Sequence, residues 1–419
     1  MAEEGRSREE LTSWKEIAEF LGVSQRTAQK RESEHGLPVQ RLPGVKGRVS
    51  ARTAELEAWK AALQKHSRQS NVTLLRVWAI GVTALFLVGA GIMLAVYLAS
   101  GGAGPPARYR LDYDTLIVSD RENREVWRHV FEEPFSLMEY GDQQLQAGHR
   151  RTCFKELSEG SGTSLLFIYI SVNRETTGTP LICFSKTGQE AWRFVPGKRV
   201  SNLKETTSSV YTISDIHVAP LEPGGDPKIV VTSHHLSSDP NQVVILDGFG
   251  KVLGEYWHSG HLALMELLDI DSDGVKEILI AGVNNGHKAA ALVALDPNRT
   301  TGASGQPEGD GLQLQGFEAA QEEAFILFPR TCINRMLYGF NYVSKLTVSE
   351  DSVVAVVGEV DEDRSATVIY RFDRRLNLIG HGVSDRLKAI HARLQVEGKL
   401  DHDLSDQEIA ELKNLRRLK

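Results

Sequence analysis

Val77 to Ala99 is a run of 23 residues without a charge, and it constrains this chain more than any other feature. Coiled as a helix it would be about 34 Å long, enough to cross a hydrocarbon core of ~30 Å with slight tilt. It begins too far from Met1 to be a cleaved secretory signal. Trp78 and Tyr97 stand near its ends, where interfacial aromatics belong. A buried core helix is the alternative. The run predicts a transmembrane helix over 77–99, with a basic linker at 67–76 before it and a Gly/Pro linker at 100–108 after it.

Charge divides at the same place. The net charge is −7, but residues 1–76 carry +4 and the remainder −11. Lys60, Lys65, Arg68 and Arg76 crowd the near flank of the run. The positive-inside rule then puts the N-terminus in the cytoplasm and the C-terminal part outside a bacterial inner membrane. Gly91, Ala95 and Ala99 recur every four residues and would offer a small-residue face for a homodimer. Cys153, Cys183 and Cys332 are too few and too odd in number for a disulfide framework. One bridge between Cys153 and Cys332 is conceivable, and buried strand thiols are the plainer reading.

Past a disordered residue 1–10 segment, residues 11–66 read as a small α domain. Ser13 with Glu16 forms a capping box, Ile17, Ala18 and Leu21 follow at helical spacing, and Gly22 makes a break. Ser24 caps a second helix rich in long donors. Leu37–Arg41 and Gly47–Val49 suggest two strands of a basic wing, and Ala54–Ala61 a third helix. Leu11–Ala18, Leu21–Ser24, Arg26-Thr27 and Gly36–Val39 resemble the winged helix-turn-helix of the MerR/excisionase type. The resemblance implies DNA contacts from Ser24, Gln25, Arg26, Thr27 and Lys30 in the major groove, and from Arg41, Lys46 and Arg48 on the wing. The alternative is a charged helix that grips a protein.

Residues 109–383 change to short β-rich runs. Leu116–Asp120 leads to Trp127, Leu181–Ser185 to Trp192, and Val243–Asp247 to Trp257, so the tryptophans fall 65 residues apart twice. Val368–Asp373 ahead of Leu376–Ile379 is a weaker fourth copy. Repeated hairpins with a recurrent aromatic predict an all-β, β-propeller domain with insertions. A β-sandwich is the competing architecture.

Within it, Leu267–Ile280 places Asp269, Asp271 and Asp273 at alternate loop positions between two apolar runs. Gly274 permits the reversal, the Val275 carbonyl can add an oxygen, and Glu277 can close the ring. That donor set suits one structural calcium ion. It is no EF-hand, because Ile280 stands at loop position 12. The loop resembles the FG-GAP (VCBS) repeat of integrin-like propellers. A shift of 49 residues aligns Ile229–Val231 with Ile278–Ile280 but brings Pro220, Glu222, Gly224 and Lys228 to the ligand positions, so that repeat keeps the strand and loses the ion.

His234-His235 and His258 with His261 tempt a zinc reading, against which loop histidines are the default. Asn298–Pro307 and its neighbours, Thr300 to Gly311, read as a Gly/Ser/Pro-rich flexible loop. Residues 384–419 read as a helical tail, with a capping box at Ser405–Glu408 and two amphipathic stripes. No catalytic dyad or phosphate-cradling loop stands out, so the chain is read as a non-enzyme. The resulting expectation is a membrane-anchored DNA-binding regulator that senses an extracytoplasmic ligand through the propeller. A surface or periplasmic interaction protein, and a membrane-anchored propeller enzyme, are the rivals.

Overall fold

The computed structural model describes residues 9–41, 49–64, 103–141, 151–237, 239–402 and 404–419. The chain divides into two compact units, residues 1–102 and 103–419.

In the first unit, Ser13 caps the helix Trp14–Leu21 and Ser24 the helix Gln25–His35 through the N–H groups of Glu16 and Thr27. Gly22 and Gly36 end them at φ 65° and 62°, where a side chain would be strained. The Glu16 carboxylate reaches back one residue beyond the cap, accepting from Thr12 N–H at 2.8 Å. Residues 53–64 are helical. Glu10–Leu11, Val49–Arg52 and Gln40–Arg41 form a three-stranded antiparallel sheet with Val49–Arg52 in the middle. Leu11, Ile17, Leu21, Leu37, Val49, Ala51 and Leu56 close a small core.

These findings correct the expected fold class. The first unit is mixed, because the middle strand buries Val49, Ser50 and Ala51 against the helices. Gln40–Arg41 and Val49–Arg52 fall where Leu37–Arg41 and Gly47–Val49 suggest strands, whereas Glu10–Leu11, too short to show a period, completes the sheet that makes the unit mixed. The winged helix-turn-helix assignment does not stand. Lys46 and Arg48, the tip of the expected wing, lie outside the described residues. The transmembrane helix is also not supported: among the described residues no helix is long and apolar enough to cross a membrane. Residues 77–99, with Gly91, Ala95 and Ala99, lie outside the described residues. The single-pass, inner-membrane placement is therefore withdrawn, and with it the regulator whose signal crosses a bilayer.

The second unit is β-propeller-like. Five antiparallel sheets follow one another along the chain, each an up-and-down meander. Sheet I comprises Arg108–Asp112, Thr115–Ser119 and Glu125–Val130. Sheet II runs from Thr152–Glu156 to Glu190–Phe194, sheet III from Tyr211–Ala219 to Val252–His258, sheet IV from Gly260–Leu268 to Ala324–Leu327, and sheet V from Tyr342–Val348 to Leu378–Val383. Three apolar clusters fill the spaces between them: sheets I to III share one, III and IV a second, and IV and V a third that also takes up the tail.

A single turn is repeated in four of the sheets. Asp120, Ser185, Asp247 and Asp373 each open a last hairpin and accept backbone N–H groups of the turn on their side chains. Three residues on, Asn123, Gly188, Gly250 and Leu376 have positive φ, followed by a register shift between the strands. This is the three-residue hairpin with a bulge. Trp127 lies on Gly188 of the next sheet and Trp192 on Gly250 of the next, where an added Cβ would meet each indole at 2.7 Å. For the first two tryptophans the spacing reflects a packing rule: Trp127 and Trp192 each cover the following sheet's turn glycine.

Trp257 has a different cover. Residues 300–304 run beside it, with Trp257 N–H donating to the Gly302 carbonyl at 2.9 Å and Ala303 bridged to both Trp257 and Ala319. Thr300, Ala303 and Ser304 are buried. Residues 300–304 of the expected loop are therefore a packed segment that shields Trp257, while Gly305, Glu308 and Gly309 beyond it are exposed. The tail is likewise more than helical. Helices Asp385–Val396 and Asp406–Glu411 bring Leu387, Ile390, Leu394 and Leu412 onto sheet V and its neighbour, and Arg416–Arg417 then pairs with Ile326–Leu327 at the edge of sheet IV. No disulfide joins Cys153, Cys183 or Cys332.

Candidate cation loop and end-face recess

The first two strands of sheet IV, Gly260–Leu268 and Glu277–Asn284, are joined by the aspartate loop. Carboxylate oxygens of Asp269, Asp271 and Asp273 lie within 4.8 Å of one another. Backbone donors hold them: Ser272 N–H to Asp269 at 2.6 Å, Asp273 N–H to Asp271 at 3.0 Å, and Val275 N–H to Asp273 at 2.7 Å. Ser272 and Gly274 supply the reversal at φ 71° and 94°. Gly274 also rests on Pro223, and Lys276 N–H donates to the Leu221 carbonyl at 2.8 Å. The loop therefore leans on its counterpart in sheet III, whose strand Lys228–His235 occupies the place of Glu277–Asn284, as the 49-residue shift implies.

Glu277 stands apart from the three aspartates. It is buried at the start of its strand and accepts from Ile270 N–H at 2.7 Å. Burial pushes its carboxyl up to about 7, and the Asp271 and Asp273 charges add to the rise. A cation beside the loop would reverse the second effect. The donor set, all hard oxygen, fits a calcium-type ion. Arg374, from the hairpin of sheet V, is the residue that sequence reasoning missed. Its guanidinium pairs with the Asp269 carboxylate at 2.8 Å and also donates to the Asp269 carbonyl. It lies 105 residues away in sequence, and nothing local announces it.

The residues expected to read DNA are placed differently from a free basic surface. Ser24 and Thr27 are engaged in the helix cap. Gln25 and Arg26 are exposed. Lys30 pairs with Glu34 at 3.5 Å and Arg41 with Glu32 at 3.2 Å. His234, His235, His258 and His261 form no metal-type cluster among the described residues. The His234 and His261 rings lie 4.5 Å apart and tilted by 52°, and buried His258 contacts Tyr256 and Asn284.

A recess of about 500 Å³ opens where sheets III, IV and V meet at one end. Asp239, His261, Gly282, Phe340, Tyr342 and Arg364 line it. Asp239 is fixed by Gly260 N–H at 2.7 Å and by the Asn285 amide at 2.8 Å. Phe340 remains 49% exposed there, and Met336 and Leu337 on the preceding helix Cys332–Leu337 are exposed as well. Close strand approach shapes the floor: a Cβ on Gly282 would lie 1.9 Å from the His261 carbonyl.

No family model and no curated protein matches the sequence. Among solved structures, a protein of unknown function from Bacteroides caccae is 10% identical over 68% of this chain and 93% of its own, with a TM-score of 0.24. The Dos1 propeller is 12% identical over 67% of this chain and 57% of its own, with a TM-score of 0.31. BBS1N, in a crystal with ARL6DN, is 10% identical over 68% of this chain and 84% of its own, with a TM-score of 0.27.

Proposed function

We propose that residues 103–419 act as a protein-interaction module whose partner engages the end-face recess. The observation that supports this reading is the recess itself: a concave site with the exposed Phe340 ring beside Asp239 and Arg364. An apolar anchor beside a few fixed polar groups is the usual make-up of a recognition site. Such modules work by presenting loops from a rigid body, and the three shared clusters supply that rigidity. We read the domain as a binder without its own chemistry. Burial holds His234 at about 4 and His258 at about 3 and pushes the Cys183 thiol up to about 12, which takes these three side chains out of acid–base and thiol chemistry near neutral pH.

Calcium at Asp269, Asp271 and Asp273, with Val275 and Glu277 adjoining, completes the reading as a structural ion that firms the loop between the first two strands of sheet IV. The recess is tested by placing a photo-crosslinking residue at Phe340 and, as a control, at the more exposed Phe249 in the last hairpin of sheet III. A discrete adduct at position 340, lost when Arg364 is changed to Ala, is expected. Equal labelling at both positions would remove the recess from consideration.

A further inference from the structure

The structure holds a second group of metal-type donors, unrelated to the aspartate loop. Cys332 begins the helix Cys332–Leu337 ahead of sheet V, His391 lies in Asp385–Val396, His402 in the connection that follows, and Glu408 in Asp406–Glu411. One ligand atom from each of the four lies within 4.8 Å of the others. We propose that Cys332, His391, His402 and Glu408 form a zinc-type site that fastens the tail to sheet V.

The donor chemistry selects the metal. A thiol and two imidazoles favour zinc over calcium or magnesium, which take oxygen. Four protein donors suit a closed, structural, tetrahedral site. At zinc–ligand lengths of about 2.0–2.3 Å the donors of such a site stand roughly 3.3–3.7 Å apart, so the group needs to close by about 1 Å. Its members are already aimed at one another. His402 Nε2 is 3.1 Å from Glu408 Oε1, and the His391 and His402 rings meet edge to face at 5.4 Å.

The surrounding shell matches as well. His402 Nδ1 lies 2.9 Å from the Asp401 carboxylate, which leaves Nε2 for the metal and fixes the ring, the arrangement that zinc-bound histidines adopt. Leu387, Leu394 and Leu412 wall the region with apolar surface. A recess of about 180 Å³, lined by Thr331, Cys332 and Glu408 among others, gives an ion a way in. The sequence hides the site. Cys332 stands 59 residues before His391, and His391, His402 and Glu408 follow no compact metal motif.

The consequence is mechanical. Three of the four donors come from the tail and the fourth from the segment that also carries Met336, Leu337 and Phe340. Metal would therefore hold the tail against the helix that leads to the end-face recess. The inference does not depend on that recess being a binding site.

The test uses the purified full chain, stripped with chelator and titrated with cobalt(II) and then zinc. One equivalent of cobalt should give a thiolate-to-metal charge-transfer band and the strong visible bands of four-coordinate cobalt, and zinc should displace it. Cys332→Ser should abolish the charge-transfer band. His402→Ala should weaken zinc binding at least tenfold, and Asp401→Asn about tenfold through loss of the supporting hydrogen bond. Asp271→Ala should leave binding unchanged. A parent protein without the thiolate band, or a Cys332→Ser variant that binds zinc like the parent, would overturn the proposal. Should a variant fail to fold, the parent spectrum alone decides.

Discussion

Arg374 of sheet V donates to both the carboxylate and the carbonyl of Asp269 in sheet IV, so one of the three clustered aspartates is already matched by a cation of the chain. The pair joins two sheets and also competes with any ion for Asp269. Arg374→Ala should lower stability in chelator by about 0.5–1 kcal/mol, as befits a half-exposed pair. The same change should enlarge the rise in melting temperature produced by calcium, because Asp269 is then released to the ion. Asp271→Ala should abolish that rise in either background. Differential scanning fluorimetry in calcium and in chelator checks both, and identical curves for the parent in the two buffers would dismiss the ion.

Trp192 covers the turn glycine of sheet III and donates its indole N–H to the Gly248 carbonyl at 3.0 Å. Gly250 has φ 80°, and a methyl group there would collide with that indole. Gly250→Ala should therefore cost about 2–4 kcal/mol from backbone strain and overpacking together. Gly305→Ala, at a position with open space around it, should change little. Urea denaturation of the two variants separates a specific packing rule from a general intolerance of alanine.

The same contact explains what the sequence could and could not reveal. The tryptophan interval, the polar turns and the apolar runs were legible because the last hairpins of four sheets share an αL position between paired strands, and both leave residues behind at fixed offsets. The aspartate loop was legible for the same reason, since its carboxylates fall at alternate positions of one short segment. Long-range partners leave no such trace. Arg374 meets Asp269, and Cys332 meets the tail histidines, only because the sheets stand side by side. Thr300–Ser304 looked like a loop because its composition is that of a loop, while its cover over Trp257 comes from backbone bonds that any residue can make. The strand Glu10–Leu11 carries too few residues to show a period, so the sheet that makes the first unit mixed was only partly legible.

His258 offers a pH test. It is fully buried between Tyr256 and Asn284, and burial holds its imidazole at about 3, with His234 at about 4. An unfolded histidine titrates near 6.5, about where folding stability should begin to fall on acidification. Below that pH the unfolded chain gains a proton that the folded one refuses, down to the folded value. The loss is at most about 1.4 kcal/mol per pH unit for each histidine. Above 6.5 the contribution is constant. His258→Asn should flatten the decline in melting temperature between pH 7 and 5 relative to the parent. Parallel declines would mean that other groups govern acid stability.

The last strand pairing supplies a test of the tail. Ile326 and Leu327 lie at the outer edge of sheet IV, and Arg416–Arg417 covers them while Leu418 N–H donates to the Phe325 carbonyl at 2.8 Å. An uncovered edge presents unpaired backbone groups to other chains. Leu418→Pro removes the N–H, whereas Leu418→Ala keeps it and removes only side-chain packing against Phe325 and its neighbours. The proline variant should lose about 1–3 kcal/mol beyond the alanine variant, from the orphaned carbonyl and the freed edge. It should also aggregate sooner on warming, which light scattering would follow. Equal stability and equal scattering in the two variants would show that the tail is held by its leucines alone, with the edge pairing a bystander.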